Sequence, residues 1–300
     1  MASSSPTGTG RIEKAWHGEI SRRWLAFKKS TISRLREMNA EGQIVNETFT
    51  FSAEQIRAYM VFLEEEIQRL LLVSDAAPNW QAEYQIAAYT RGLESTRQSL
   101  ISQGASLSPT AEEIAAGADL LPFTSTPSIG RATDVTIHQD ALEFLFQRSY
   151  ESLNGWTDAL ARETRQILFD GVSEGRGIDE TVRLMVKRQN VSRSRARVIA
   201  QTETIQAYQR SATNETERAS NEIGEEILMR WITVRDSRVR HLHAAWHGTT
   251  ATPQQNRSRI NSSPWNCRCA QTPVIPEADT AKKKAKFKKE RQQLLLLERK

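Results

Sequence analysis

The chain has 300 residues, a formal charge of +5, and 38% hydrophobic against 26% charged residues. That length allows two modest domains, and the balance suits a helix-rich, elongated chain better than one compact globule. No apolar run is long enough to cross a bilayer, and the opening MASSSPTGTG lacks the apolar core of a signal peptide, so the expectation is a disordered leader on a cytoplasmic protein with no membrane partner.

Ile12, Trp16, Ile20, Trp24 and Phe27 recur at helical spacing, which predicts an amphipathic first helix. Ser52 and Gln55 form a capping-box pair that opens a second, with Ile56, Leu63, Ile67 and Leu70 on one face. A third runs from Trp80 to about Leu100, and together they make an N-terminal helical region, residues 1–103. Residues 104–137 shift to small residues, Pro and Gly and read as a linker, with a brief helix over Ala111 to Ala116. Helical periodicity returns with Leu142, Leu145, Phe146, Leu153, Leu160, Ile167 and Leu168. Asp170 to Gly177 then breaks it as a turn, because the Gly-Lys-Ser/Thr ending of a phosphate-binding loop is absent. The next helix, about Arg193 to Asn221, carries Thr202 and Glu203 in its middle. Glu203 has no partner acid or base in the sequence, so an anchoring hydrogen bond or a solvated charge is expected there.

Residues 231–273 hold three of the five histidines and both cysteines. A strand-like run, Ile227 to Val234, leads into a turn at Asp236 and Ser237, where Asp236 and Arg238 are expected to make a charge-assisted contact. A helical turn through His243 and His247 would put those rings four apart on one face. A polar loop of turn-forming residues follows, from Thr249 to Pro264, and then a short alternating run from Cys267 to Thr272. Two cysteines one residue apart are poorly placed to bridge each other, which argues against a secreted disulfide scaffold. Two readings of the cluster stand side by side. In one, His243, His247, Cys267 and Cys269 supply two imidazoles and two thiolates, a set suited to tetrahedral zinc. In the other, the cysteines alternate along a strand with one packed inward, while His243 hydrogen-bonds a loop. A hydrolytic centre would need an open coordination position and a base as well.

The segment RARVIAQTET, a Trp-containing strand, DSRVRHLHAAWHG and PWNCRC, in that order, together resemble the Mu protein F-like head morphogenesis family of tailed phages. The likeness covers about residues 140–275. Arg195, Ala196, Ile199, Ala200, Thr202 and Glu203 match the helix motif; Asp236, Arg238, His243 and Gly248 match the central one; Pro264, Asn266, Cys267, Arg268 and Cys269 match the last. Many members carry Cys-x-x-Cys after the Asp-x-Arg, where this sequence has Arg240 and His243. The resemblance implies a non-enzymatic minor head protein beside the portal, acting in head assembly, DNA packaging or ejection. Its implied partners are the portal protein, scaffolding or capsid protein, and phage DNA. Its implied place is the virion, inside the head, after assembly in the host cytoplasm. The alternative reading is a metal-dependent nucleic-acid-processing enzyme.

The fold expected is therefore α+β: the helical region, the linker, a module at residues 138–276 of helices with a small antiparallel sheet, and a basic tail at 277–300. The module is expected to fold by itself. Residues 281–300 carry nine Lys/Arg against two Glu, a net +7 that leaves the other 280 residues at −2. Lys282, Lys283, Lys284, Lys286, Lys288, Lys289 and Arg291 have the composition of a nucleic-acid-binding arm. Leu294 to Leu297 could instead dock on a partner.

Overall fold

The computed structural model describes residues 6–41, 53–72, 80–108, 136–174, 176, 178–262 and 265–297. Ser52, the Ala111–Ala116 segment, most of the expected linker and Pro264 lie outside them. The elements are α1 (Gly10–Glu41), α2 (Ala53–Glu66) with a π turn (Ile67–Leu72), α3 (Ala82–Ile101), α4 (Thr136–Ser173), α5 (Ile178–Ile223), β1 (Leu228–Ile232), α6 (His241–Trp246), β2 (Thr250–Ala251), α7 (Pro253–Ser262), β3 (Ala270–Val274), a 3-10 turn (Pro276–Ala278) and α8 (Ala281–Leu297). This is helix-rich α+β, as the sequence predicts.

The chain forms two compact units, each discontinuous in sequence: residues 1–14, 82–146 and 201–300, and residues 15–81 with 147–200. Among the described residues, the regular elements of the second unit are all helices. The α1 stripe read from the sequence supplies part of its core, with Trp16, Ile20, Trp24 and Phe27 buried. Trp24 packs its ring on Phe27 and Trp156 at centroid distances of 5.4 and 5.2 Å. Tyr59 enters from α2 and donates its hydroxyl to the Thr31 carbonyl at 3.0 Å. Helix α5 begins at Ile178, well before the expected Arg193, because Val182, Met185 and Gln189 continue its buried face.

The first unit is built around the other half of α5. From Thr202 to Thr216 almost every residue is buried, polar ones included. A helix buried all round is ordinarily apolar, and here internal bonds replace apolarity. Thr213 and Thr216 donate to the carbonyls of Gln209 and Ala212 one turn back, at 2.8 and 2.7 Å. Asn214 donates to the Tyr89 hydroxyl at 3.2 Å, and Glu215 accepts from Arg97 at 2.9 Å and Arg218 at 2.8 Å. Helix α3 crosses α5 so closely that a Cβ on Gly92 would lie 2.4 Å from the Tyr208 carbonyl oxygen. Gln103, just past α3, donates to the Pro273 carbonyl at 3.0 Å and accepts from the Ile275 amide at 3.1 Å.

The sheet is antiparallel in the order β2-β1-β3, with Arg230 opposite Thr250 on one side and Thr272 on the other. Alternation along β1 sends Met229 and Trp231 to one face and Arg230 to the other. The polar run after β2 is a helix, contrary to the loop expected. Its cause is a capping box: the Gln255 amide donates to Thr252 Oγ1 at 3.3 Å, and the Thr252 amide donates to Gln255 Oε1 at 3.2 Å. Pro253 occupies the first helical position, where its missing N–H costs nothing.

Candidate metal centre

On the Trp231 face, Ile260, Cys267, Cys269 and Trp231 form a buried cluster with Trp246 against it. His243 projects into it from α6. Its Nδ1 lies 3.7 Å from Cys267 Sγ and 3.5 Å from Cys269 Sγ, and all three side chains are buried. The imidazole stacks on Trp246 and meets Trp231 edge-on, with centroids 5.4 and 5.3 Å away. Its Nε2 is buried without a hydrogen-bond partner. Among the described residues this is a set of three donors that could hold a metal ion.

The two thiols do not split between inside and outside, as one reading of the sequence has it. Residues two apart on extended chain point the same way, and both sulfurs are buried and free. The Cys269 amide also donates to Cys267 Sγ at 3.4 Å. The Cys267 thiol is pulled well below the ordinary range, first by the hydrogen bond from Cys269 and then by His243. Cys269 is pushed up by the same bond, by burial and by the Cys267 charge. The opposite directions follow from two sulfurs in contact, because a charge on Cys267 disfavours a second one on Cys269.

Three anchors fix the Cys-x-Cys segment. Asn266 takes a left-handed conformation, φ 52°, and its amide donates to Thr202 Oγ1 at 3.0 Å. Arg268, between the cysteines, turns away and grips Asp236 with two bonds of 2.6 and 2.8 Å. Asp236 also accepts from the Arg238 amide and guanidinium at 3.1 and 3.2 Å. Arg268 above all, with burial opposing, holds the Asp236 carboxyl far below the usual carboxylate range. The contact expected between Asp236 and Arg238 exists, with Arg268 as the stronger partner. The third anchor is Gln209, which donates to the Cys269 carbonyl at 2.7 Å. It escaped sequence reasoning, although it sits two helical turns beyond Thr202 on the same face.

His247 is not part of the three-donor set. Helix α6 ends at Trp246, and His247 caps it with ψ 124°, so the four-residue spacing does not align the rings. Its Nδ1 accepts from the Thr233 amide at 3.1 Å, and its Nε2 faces Glu290 Oε2 at 3.2 Å. Gly248 follows with φ +75°, and a Cβ there would stand 2.3 Å from Phe287 Cβ. Glu203 is fully buried, which removes the solvated-charge reading. Arg195 is an exposed residue of the second unit.

The basic segment is a helix seated on the first unit. Phe287 packs under Arg230 at 4.6 Å and against His247 at 5.7 Å. Glu290 accepts from Arg235 at 2.7 Å, and Leu294 is buried while Leu296 and Leu297 stay exposed. Lys282, Lys283, Lys284, Lys286, Lys288 and Lys289 are exposed along it, and Arg291 is half-buried.

Residues 162–272 match the family described as Phage Mu protein F like protein, a span that contains Arg195, all three donors and every anchor. No curated protein and no solved structure matches the chain. Among the described residues, no helix is long and apolar enough to cross a membrane.

Proposed function

We propose, with residues 162–272 belonging to the phage Mu protein F-like family as the premise, that the chain is a phage minor head protein acting in head morphogenesis. The observation that carries this is where the family motifs fall. Thr202 and Asn266, and Asp236 and Arg268, bond to each other in pairs. They hold one loop and two buried thiols in place. The module is on this reading a structural unit of the virion, placed inside the head beside the portal and in contact with packaged DNA, with a role in packaging or ejection.

The donor set fits zinc. A tetrahedral zinc with bonds of about 2.0–2.3 Å sets its donors about 3.3–3.8 Å apart, and the observed nitrogen–sulfur separations are 3.5 and 3.7 Å. His243, Cys267 and Cys269 would hold the ion, which would cross-link α6 to the segment before β3. Their burial suits an ion with a structural role. Elemental analysis of the purified protein should then find about one zinc per chain, and Cys267→Ser should lower both metal content and Tm. Metal-free protein of undiminished stability would remove zinc from the account.

The virion role is tested by mass spectrometry of purified heads before and after DNA release, with a phage lacking this gene beside them. The chain should be found in filled heads, and heads lacking it should package or eject DNA poorly. Its absence from heads, or metal-dependent cleavage of DNA or RNA that vanishes in His243→Ala, would overturn the structural reading in favour of an enzyme.

A further inference from the structure

The seven basic residues of α8 are not equivalent. Lys284, Lys288 and Arg291 stand four and three apart, on one stripe of the helix. They line a recess of about 390 Å³ together with Arg230, Gly248, Thr249, Thr250 and Asp279. Arg230 reaches the recess from the middle of β1, buried and stacked over Phe287. It donates one bond, to Asp279 Oδ2 at 2.6 Å, while its buried Nε has no partner. Lys284 stands 3.8 Å from the same carboxylate. Lys288 and Arg291 make no ion pair among the described residues. Four cations therefore surround one carboxylate that Arg230 already occupies, and the unspent charge is positive.

We propose that this recess is a phosphodiester-binding site, through which the module grips the backbone of double-stranded DNA. This rests on the reading that the protein meets packaged DNA, and it assigns the contact to particular residues. From Lys284 to Arg291 the stripe covers about 10 Å of helix axis, or about three steps of one strand at ~3.4 Å each. A row of cations at that spacing tracks a regular polyanion. The buried guanidinium behind it supplies a fixed donor where loose lysines supply only a field. Lys282, Lys283, Lys286 and Lys289 stand off this stripe and add long-range attraction only.

Two full-length variants of equal charge separate the recess from charge alone: Lys284→Gln/Lys288→Gln/Arg291→Gln and Lys282→Gln/Lys283→Gln/Lys286→Gln. Affinity for a fluorescent 20-base-pair duplex is read by anisotropy from about 50 to 200 mM salt, after circular dichroism has shown both variants folded. The recess variant should lose about tenfold or more in affinity and close to three released counterions from the salt slope. The outer variant should lose about threefold or less. Equal losses would overturn the recess while leaving DNA contact standing. Failure of the unmodified chain to bind the duplex at any salt would overturn the DNA reading itself. Displacement of the duplex by poly-glutamate at matched charge would show a surface for acidic proteins, and would also overturn the proposal.

Discussion

The two faces of β1 solve the problem of burial in opposite ways. On one, Trp231 closes over two thiols and an imidazole, with a half-buried indole, Trp246, against the cluster. On the other, Arg230 carries a full charge into the interior and is matched by Asp279 and the ring of Phe287. The first face gathers two sulfurs and a ring nitrogen into one buried cluster. The second leaves cationic capacity unspent at the surface. One five-residue strand thus separates a buried cluster of soft donors from a recess lined by cations, because consecutive side chains alternate sides.

The largest effect should come from Trp231→Ala. A fully buried indole at the centre of the first unit leaves a cavity when removed, at a cost of about 3–5 kcal/mol, and the thiol cluster loses its lid. Chemical denaturation should show the loss, and the two thiols should react with a maleimide in the native protein. A variant with unchanged midpoint and protected thiols would mean that this face does not depend on the indole.

Much of this arrangement was legible in the sequence, and the exceptions have physical reasons. The α1 stripe, β1 and the grouping of His243 with the two cysteines follow from periodicity and from residue types that seldom cluster. Helix α7 did not, because its weakly apolar sequence resembles a loop unless the reciprocal pair of Thr252 and Gln255 is weighed. His247 looked like a ligand because a helix continuing past Trp246 would have aligned it with His243. The docking of α8 is carried by Phe287, Glu290 and Leu294, which stand three and four apart on one stripe, but only two of the three are apolar and lysines surround them, so the stripe is weak in the sequence. The division into 1–103, 104–137, 138–276 and 277–300 remains a proposal. A fragment of residues 138–276 lacks Arg97, the buried partner of Glu215, and Gln103, the clasp on β3. A fragment of residues 82–300 keeps both, so comparing how cooperatively the two unfold tests whether the module stands alone.

Next in size is Gly248→Ala, which acts on the Arg230 face alone. The left-handed backbone costs about 1–2 kcal/mol for any other L-residue, and the new Cβ would overlap Phe287. Hydrogen exchange should accelerate through α8 while β1 and α7 stay protected. Uniform acceleration across the first unit would show that the two faces are not separable.

Asp236→Asn tests the other side more gently. The carboxylate and Arg268 are partly exposed, so solvent screens the pair, and loss of its charged bonds should cost about 1–2 kcal/mol. Because the folded carboxyl is strongly acidic, its contribution is present above the ordinary aspartate range and disappears as pH falls through that range and below. The variant should therefore approach the parent in stability toward acid pH. A constant gap between the two across the acid range would show that the carboxylate's charge is not what fixes the loop.

The smallest effect is a pH dependence seated at His247. The Thr233 amide can only donate, so Nδ1 must hold a lone pair and the ring proton sits on Nε2, facing Glu290. A second proton would break the Thr233 bond. Burial lowers the folded pKa, and this outweighs the hydrogen bond and charge of Glu290, while Arg235 and Arg291 push the same way as burial. The unfolded ring titrates near its ordinary value of about 6.5. Between the two values the unfolded chain binds more protons, so stability rises with pH there and declines as pH drops below that ordinary range. Unfolding midpoints of the parent and of His247→Gln should converge as pH is lowered from 7.5 to 5.5, by less than Asp236→Asn shifts the midpoint at neutral pH. Hydrogen exchange should place the loss in α8, since Glu290 and Phe287 are what the ring touches there. An identical pH response in the two proteins would assign the titration to another group, and the attachment of α8 would then rest on Phe287, Leu294 and the pairing of Glu290 with Arg235.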